Sequence, residues 1–410
     1  MASAAPSLSR TASSLFHALF PVAAFWLFTV GVFMADRGDA LERIAMIAVG
    51  VTGLFLLSTR VPITKALLVT LGVALALLSV LRFAQVLEAV QESRAPDIDI
   101  ATTTIDSVEL QSEGENPYTA LIDPIGHQVD PTGTGLRYFG GFKYGPAMTW
   151  VYTPGVLARG AAGFYITNFA LLMLTAGAAA WWASRAGRAA ALGAAALTLA
   201  PGLWHHDLFA KGSNDIAPVA LVMLAFAFRA HGLAIPAAIA LGLSFGTKPL
   251  PALLFALPLI LMGEKRWRVA VVAGATTFFC YLPALIRSPQ ELIAGLVMFN
   301  AARPPDNTSL LEGAPQPLVL VAVAVSLVAG LVLPVAWDAL RGRWTARYAA
   351  LIASAALAVS FIGSRQVHRN YLVWLVPPMA VALAATIWRD GDEDQGPPKV
   401  PSSPSTKNSL

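Results

Sequence analysis

Cysteine and charge are the scarcest features of this sequence. One residue in 410 is cysteine, Cys280, and it stands inside an apolar run, so no intrachain disulfide can form and the thiol reads as a packed core residue. Charged residues make up 13% of the chain, against roughly 25% in an ordinary soluble domain. The net charge of +4 comes from basic residues scattered through short connections, with no continuous patch, which excludes a nucleic-acid surface. Disulfide-stapled, soluble globular and nucleic-acid-binding classes all drop out on these grounds.

What fills the chain is apolar. Hydrophobic residues are 56% of the total, and mean hydropathy is +0.63. Runs of about 15 to 25 apolar residues recur from Leu15 to Trp388, and a helix needs about 20 to cross the hydrocarbon core. The sequence predicts an all-α polytopic membrane protein of about twelve transmembrane helices. Spans are expected near 15–35, 41–59, 64–88, 162–183, 189–204, 215–229, 233–247, 249–262, 269–286, 317–337, 348–363 and 371–388. The first run is long, lacks a small-residue cleavage site and leads into further spans, so it reads as a retained helix rather than a signal peptide. Residues 1–14 then form a short cytoplasmic segment and 15–388 the membrane domain. Residues 389–410, charged and rich in Pro and Ser, read as a disordered cytoplasmic tail.

Loop charge sets the orientation, because short cytoplasmic connections accumulate Lys and Arg. Arg60 and Lys65, Arg185 and Arg188, Arg229, Lys265, Arg266 and Arg268, and Arg341, Arg343 and Arg347 are all placed on that side. Residues 91–161 then form the extracytoplasmic loop, and in its part from Gln91 to Tyr144 the acids, from Glu92 to Asp130, face only Arg94, Arg137 and Lys143 as counter-charges. Its last part, YGPAMTWVYTPGVL (144–157), has two prolines and is too short to cross at about 1.5 Å per residue. It is expected as an interfacial helix on the outer surface. The helices either side of GTKPLP (246–251) are short for full crossings, which puts the turn at Lys248 below the outer surface.

With this topology the unusual polar stretches share the outer face. They are DIDIATTTID with GENPY, LWHHDLFAKGSND (203–215), GTKPLP, FNAARPPDNTSL (299–310) and GSRQVHRNY (363–371). Ionisable groups near membrane depth are costly and usually line a pathway or cavity. Carboxylates beside Lys248, Arg303, Arg365, His368 and Arg369 suit a proton acceptor next to an anion. Plainer readings stand beside these. Glu109, Glu113 and Glu115 read as solvated, Arg303 as a snorkelling or locally paired side chain, and His368 and Arg369 as interface anchors. The adjacent His205 and His206 point apart on a helix or turn, which argues against one shared ion.

These stretches resemble a known family. Asp97 or Asp99 followed by GENPY, FKYGPAMTWVYTPG, KGSNDIAPVALVMLA, GTKPLPALLFALPL and SRQVHRNYLVWLVPP together are similar to the GT-C superfamily of membrane glycosyltransferases. The nearest likeness is to the polyprenyl-phosphate-mannose type, glycosyltransferase family 87, which includes mycobacterial and corynebacterial mannosyltransferases. About three spans precede the acidic loop here where GT-C members commonly have one, and Tyr-Gly-Pro stands in place of Tyr-Pro-Pro. The resemblance implies a GT-C-like fold with juxtamembrane helices on the outer loop, in a bacterial inner membrane with the active site facing the extracytoplasmic side. It also implies transfer of a sugar, mannose foremost, from a polyprenyl-phosphate donor to a hydroxyl of a cell-envelope glycan or glycolipid, with inversion.

The implied roles are a general base at Asp99, with Asp97 second, and donor-phosphate contacts at Lys248, Arg303, Arg365 and Arg369. Sugar or acceptor contacts fall to His205, His206, His368, Tyr118, Tyr144 and Trp150. No cofactor is required, although a divalent metal would be compatible. A nucleotide-sugar donor is not expected, since no Gly-rich phosphate loop lies on the cytoplasmic side. A transporter or lipid-linked-sugar flippase is the alternative, and it would spread its charges over both faces. A polymerase or ligase of surface glycans would usually carry its large outer loop late in the chain.

Overall fold

The computed structural model describes residues 63–91, 99–120, 122, 141–298, 309, 311, 313–342, 344–364 and 372–388. They are helical, with no strand among them. The helices are α1 (Ile63–Gln91), α2 (Asp99–Ser112), α3 (Pro146–Ala183), α4 (Arg188–Leu199), α5 (Ile216–Ala230), α6 (Ala234–Thr247), α7 (Pro249–Leu261), α8 (Arg266–Arg287), α9 (Pro289–Ile293), α10 (Gln316–Arg341), α11 (Ala346–Ile362) and α12 (Leu372–Ile387). Every span expected from residue 64 onward is matched by a helix, while the two expected near 15–35 and 41–59, the 1–14 segment and the tail lie outside the described residues.

Among the described residues four stretches are long and apolar enough to cross a membrane, in α1, in α3 with the turn after it, in α8 and in α10. Six others, α4 to α7, α11 and α12, are apolar but only 10–17 residues long, so twelve full crossings do not follow from helix length. In α10 only 17% of the apolar window is buried, and in α8 only 22%. Val321, Val325, Val328 and Val332 form one exposed stripe along α10, an arrangement that water would oppose and lipid accepts.

The helix expected to lie on the outer surface is instead folded into the bundle. α3 breaks at Arg159 and Gly160, where Gly160 has φ 55° and ψ −133°, a conformation open to glycine alone. Residues 146–158 therefore turn back along 161–183. At the crossing, a Cβ on Gly163 would come within 1.8 Å of the Gly155 carbonyl oxygen, so the two backbones touch. Tyr152 stacks on Phe164 with ring centres 4.6 Å apart, and its hydroxyl donates to Asn168 Oδ1 at 2.6 Å. Met148 and Tyr152 have no exposed surface. Burial of this face, with an amide ready to receive the phenol, is what draws the short helix inward.

α6 and α8 run parallel and close together through a Gly242-x-x-x-Gly246 face. Added Cβ atoms there would meet Thr276 and Cys280 respectively, and Tyr281 donates to the Phe245 carbonyl at 2.8 Å. Small residues permit this approach where no water is present to drive association. Cys280 thus packs at the level of Gly246, while α8 continues to Arg287, about 10 Å further at 1.5 Å per residue. The break between α6 and α7 accordingly falls short of the end of α8.

The bundle has two chemically different ends. At one, Arg229 donates to the carbonyls of Leu259 and Glu264, and Arg266 forms a two-pronged pair with Asp338 at 2.7 and 2.8 Å, to which Trp344 also donates. Arg185, Arg188, Lys265, Arg268, Arg341 and Arg347 lie on the helix ends and connections of this same end. The start of 161–183, the start of α5, the junction of α6 with α7 and the start of α12 meet at the opposite end.

Candidate active site

Asp215 stands immediately before α5, where an aspartate would ordinarily cap its own helix. It makes no such cap. Its carboxylate is fully buried and instead receives Lys248 Nζ at 2.5 Å, Trp374 Nε1 at 3.1 Å and Ser213 Oγ at 3.0 Å. A buried carboxylate survives only when donors surround it, and here they arrive from the α6–α7 junction, from α12 and from the segment before α5.

Lys248 is held by local sterics. A residue before proline is pushed into extended backbone, and Lys248 has φ −146° and ψ 99°. Pro249, with no N–H to satisfy, then opens α7. The lysine is stranded between two helices with its side chain 18% exposed, and its ammonium sits 5.3 Å from the centre of the Tyr144 ring. The backbone of Gly145 donates to the Thr247 carbonyl at 2.8 Å, bringing the start of α3 to the same place. The N-termini of α3, α5, α7 and α12 therefore gather here, each bringing the partial positive charge of its helix dipole.

The GENPY stretch forms a turn. Asn116 Oδ1 accepts from the Tyr118 amide at 3.1 Å, and Phe142 N–H donates to the Pro117 carbonyl at 2.9 Å. Tyr118 itself is buried, packs edge-on to Phe142, and donates its hydroxyl to the Tyr144 carbonyl at 2.9 Å. Burial, with a smaller contribution from Tyr281, pushes its phenol well above the usual range, so it stays a donor. It ties the GENPY turn to the residues just before α3. Trp150 is 43% exposed on the short arm of α3.

α2, which begins at Asp99, packs on α3 and is tied to the start of α5 by Asn214 Nδ2 donating to Thr104 Oγ1 at 3.0 Å. Thr104 passes its own hydroxyl hydrogen to the Ile100 carbonyl, which fixes the sense of that bond. Asn214 Oδ1 is buried and has no hydrogen-bond partner among the described residues. Asn168 Nδ2 donates to the carbonyls of Leu208 and Ser213, fastening the segment that carries His205 and His206 to α3. At the far side, Ser309 Oγ donates to the Ser364 carbonyl at 2.8 Å.

Asp97, Arg303, Arg365, His368 and Arg369 lie outside the described residues, as do the side chains of Asp99, His205 and His206. Among the described residues no group of three His, Cys, Asp or Glu gathers as metal ligands would. Two buried groups had escaped the sequence reading. Asp215 lies in a quoted motif with no role assigned to it. Arg82, within the apolar run of α1, has no exposed surface and donates to the Leu199, Ala200 and Pro201 carbonyls at the end of α4. A charge inside an apolar run was the available signal.

No curated protein matches the chain. The family description glycosyltransferase family 87 matches residues 142–364, more than half of the chain. The match starts at Phe142, after both early aspartates and the GENPY turn, and takes in Tyr144, the α3 hairpin, Asp215, Lys248 and the segment up to Ser364. That membership favours an enzyme over a transporter. The chain belongs to glycosyltransferase family 87 and is a membrane glycosyltransferase.

Proposed function

We propose that the enzyme transfers a sugar, mannose by resemblance, from a polyprenyl-phosphate donor to a hydroxyl of a cell-envelope glycan or glycolipid. The reaction takes place on the extracytoplasmic face of a bacterial inner membrane. The observation that carries this reading is the gathering of four helix N-termini around Lys248, at the end of the bundle opposite the arginine-rich connections. Such an end suits an anionic leaving group, and basic connections belong to the cytoplasm.

In the proposed reaction the acceptor oxygen attacks the anomeric carbon, the bond from that carbon to the phosphate oxygen breaks, and the acceptor proton passes to a carboxylate. Asp99, at the start of α2, is the proposed base, with Asp97 the second choice. The polyprenyl phosphate leaves with the bonding pair, its charge offset by Lys248 together with Arg303, Arg365 and Arg369. His205, His206 and His368 are proposed to contact sugar or phosphate, and Tyr144 and Trp150 to pack against sugar or isoprenoid. No cofactor enters the scheme.

The test is transfer from radiolabelled polyprenyl-phosphate mannose, with a nucleotide sugar as control, in membranes that hold equal amounts of the wild type, Asp97→Ala and Asp99→Ala. The expected result is transfer from the lipid donor alone, with one aspartate variant losing a factor on the order of a hundred or more. Full activity in both variants would remove the proposed base, and transfer from the nucleotide sugar alone would remove the proposed donor.

A further inference from the structure

Asn214 and Asp215 are neighbours in sequence, yet each reaches a different part of the site. Asn214 holds α2 through Thr104, while Asp215 holds Lys248 and Trp374. Both residues have no exposed surface, so neither is placed to touch a substrate directly. Asp215 does not cap α5, and Lys248, extended by its proline, has no helix of its own to fix its direction.

We infer that Asp215 is a positioning residue for the donor phosphate. It aims the Lys248 ammonium, and its hydrogen bond to Trp374 holds the start of α12 in register with it. The inference rests on the reading that Lys248 faces the donor's phosphate. Three observations support it. The carboxylate meets it at 2.5 Å. Tyr144 closes a second side, with its ring 5.3 Å from the ammonium. The lysine side chain keeps 18% of its surface exposed although its counter-ion keeps none, so the pair presents the cation outward. The Trp374 bond lets the same carboxylate fix the start of α12. A purely structural ion pair would not require its cation to stay accessible.

The test compares Asp215→Asn, Lys248→Met, the double variant and Trp374→Phe in membranes at matched expression. Readouts are donor KM and kcat with polyprenyl-phosphate mannose, acceptor KM, and product inhibition by polyprenyl phosphate alone. Asp215→Asn is expected to raise donor KM on the order of ten- to a hundredfold. Inhibition by polyprenyl phosphate should weaken by the same factor, while acceptor KM stays within about twofold. The double variant should be no worse than Lys248→Met, because Asp215 acts through the lysine. Trp374→Phe, which leaves the ion pair in place, should shift donor KM in the same direction by a smaller factor, and it decides the matter if Asp215→Asn does not accumulate. Unchanged donor KM in the variants, effects of Asp215→Asn and Lys248→Met that multiply, or equal shifts in donor and acceptor KM would each overturn the inference. Failure of the wild type to use polyprenyl-phosphate mannose would instead remove the donor reading on which it rests.

Discussion

Asp106 shows how a residue's surroundings alter what its side chain does. It sits on the face of α2 that turns toward the bundle, beside the buried Thr103 and Ser107, and is itself half-buried. Burial, and then the neighbouring charge of Glu109, raise its pKa above the ordinary aspartate value. The folded state thus binds this proton more tightly than the unfolded chain, and stability falls as pH rises from the ordinary aspartate range through the raised value. Asp106→Asn removes the group, so the variant should melt higher than the wild type above that window and match it below. Thermal unfolding in detergent from acid to neutral pH checks this, and coincident curves throughout would contradict it. Lys248 was legible in the sequence because a charge before proline at the end of an apolar run has no ordinary use. Asp215 was not, because aspartate before a helix is one of the commonest caps and only the fold shows its carboxylate turned to another element. Tyr152 and Asn168 were equally hidden, since a single phenol and a single amide in apolar runs announce no partner until the hairpin closes.

At the scale of elements, the positions of most helices followed from apolar runs, but their lengths set the site. α4 is 12 residues long, about 18 Å, and stops well short of a crossing. Its last carbonyls are met by Arg82, which stands nine residues before the end of α1. A buried guanidinium with its donors directed at a helix C-terminus satisfies both the carbonyls and the negative end of the helix dipole. Arg82→Leu leaves those carbonyls without a donor, each costing about 1–3 kcal/mol, and should destabilise the protein by on the order of 3 kcal/mol or more. The loss is read as a fall in unfolding temperature in detergent, and Arg82→Lys should recover part of it. A neutral Arg82→Leu would mean that α4 is capped some other way. The α3 hairpin was only half legible. Two prolines and a short run excluded a crossing, but the fold-back depends on the contact between Gly155 and Gly163, which lies beyond what periodicity can report.

Across the whole molecule, the short helices and the segregated charge belong to one design. α5, α6 and α7 are each 13–15 residues long, so their opposite-end termini lie within the bundle and hold Asp215 and Lys248 near the short arm of α3. Longer neighbours such as α8, with 22 residues, rise past them. Arginines anchor the basic end through carbonyls and Asp338, and acids dominate the loop at the other. Family 87 membership makes this a glycosyltransferase, and the proposed function turns its reacting end away from the cytoplasm.

The single cysteine makes that claim directly measurable. Cys280 is buried, so Cys280→Ala gives a background without thiols, into which Glu113→Cys at the end of α2 or Glu264→Cys between α7 and α8 can be placed, both at exposed positions. A membrane-impermeant maleimide applied to intact cells should label the cysteine at 113 and should reach that at 264 only after lysis. The reverse pattern would turn the molecule over and contradict the extracytoplasmic site.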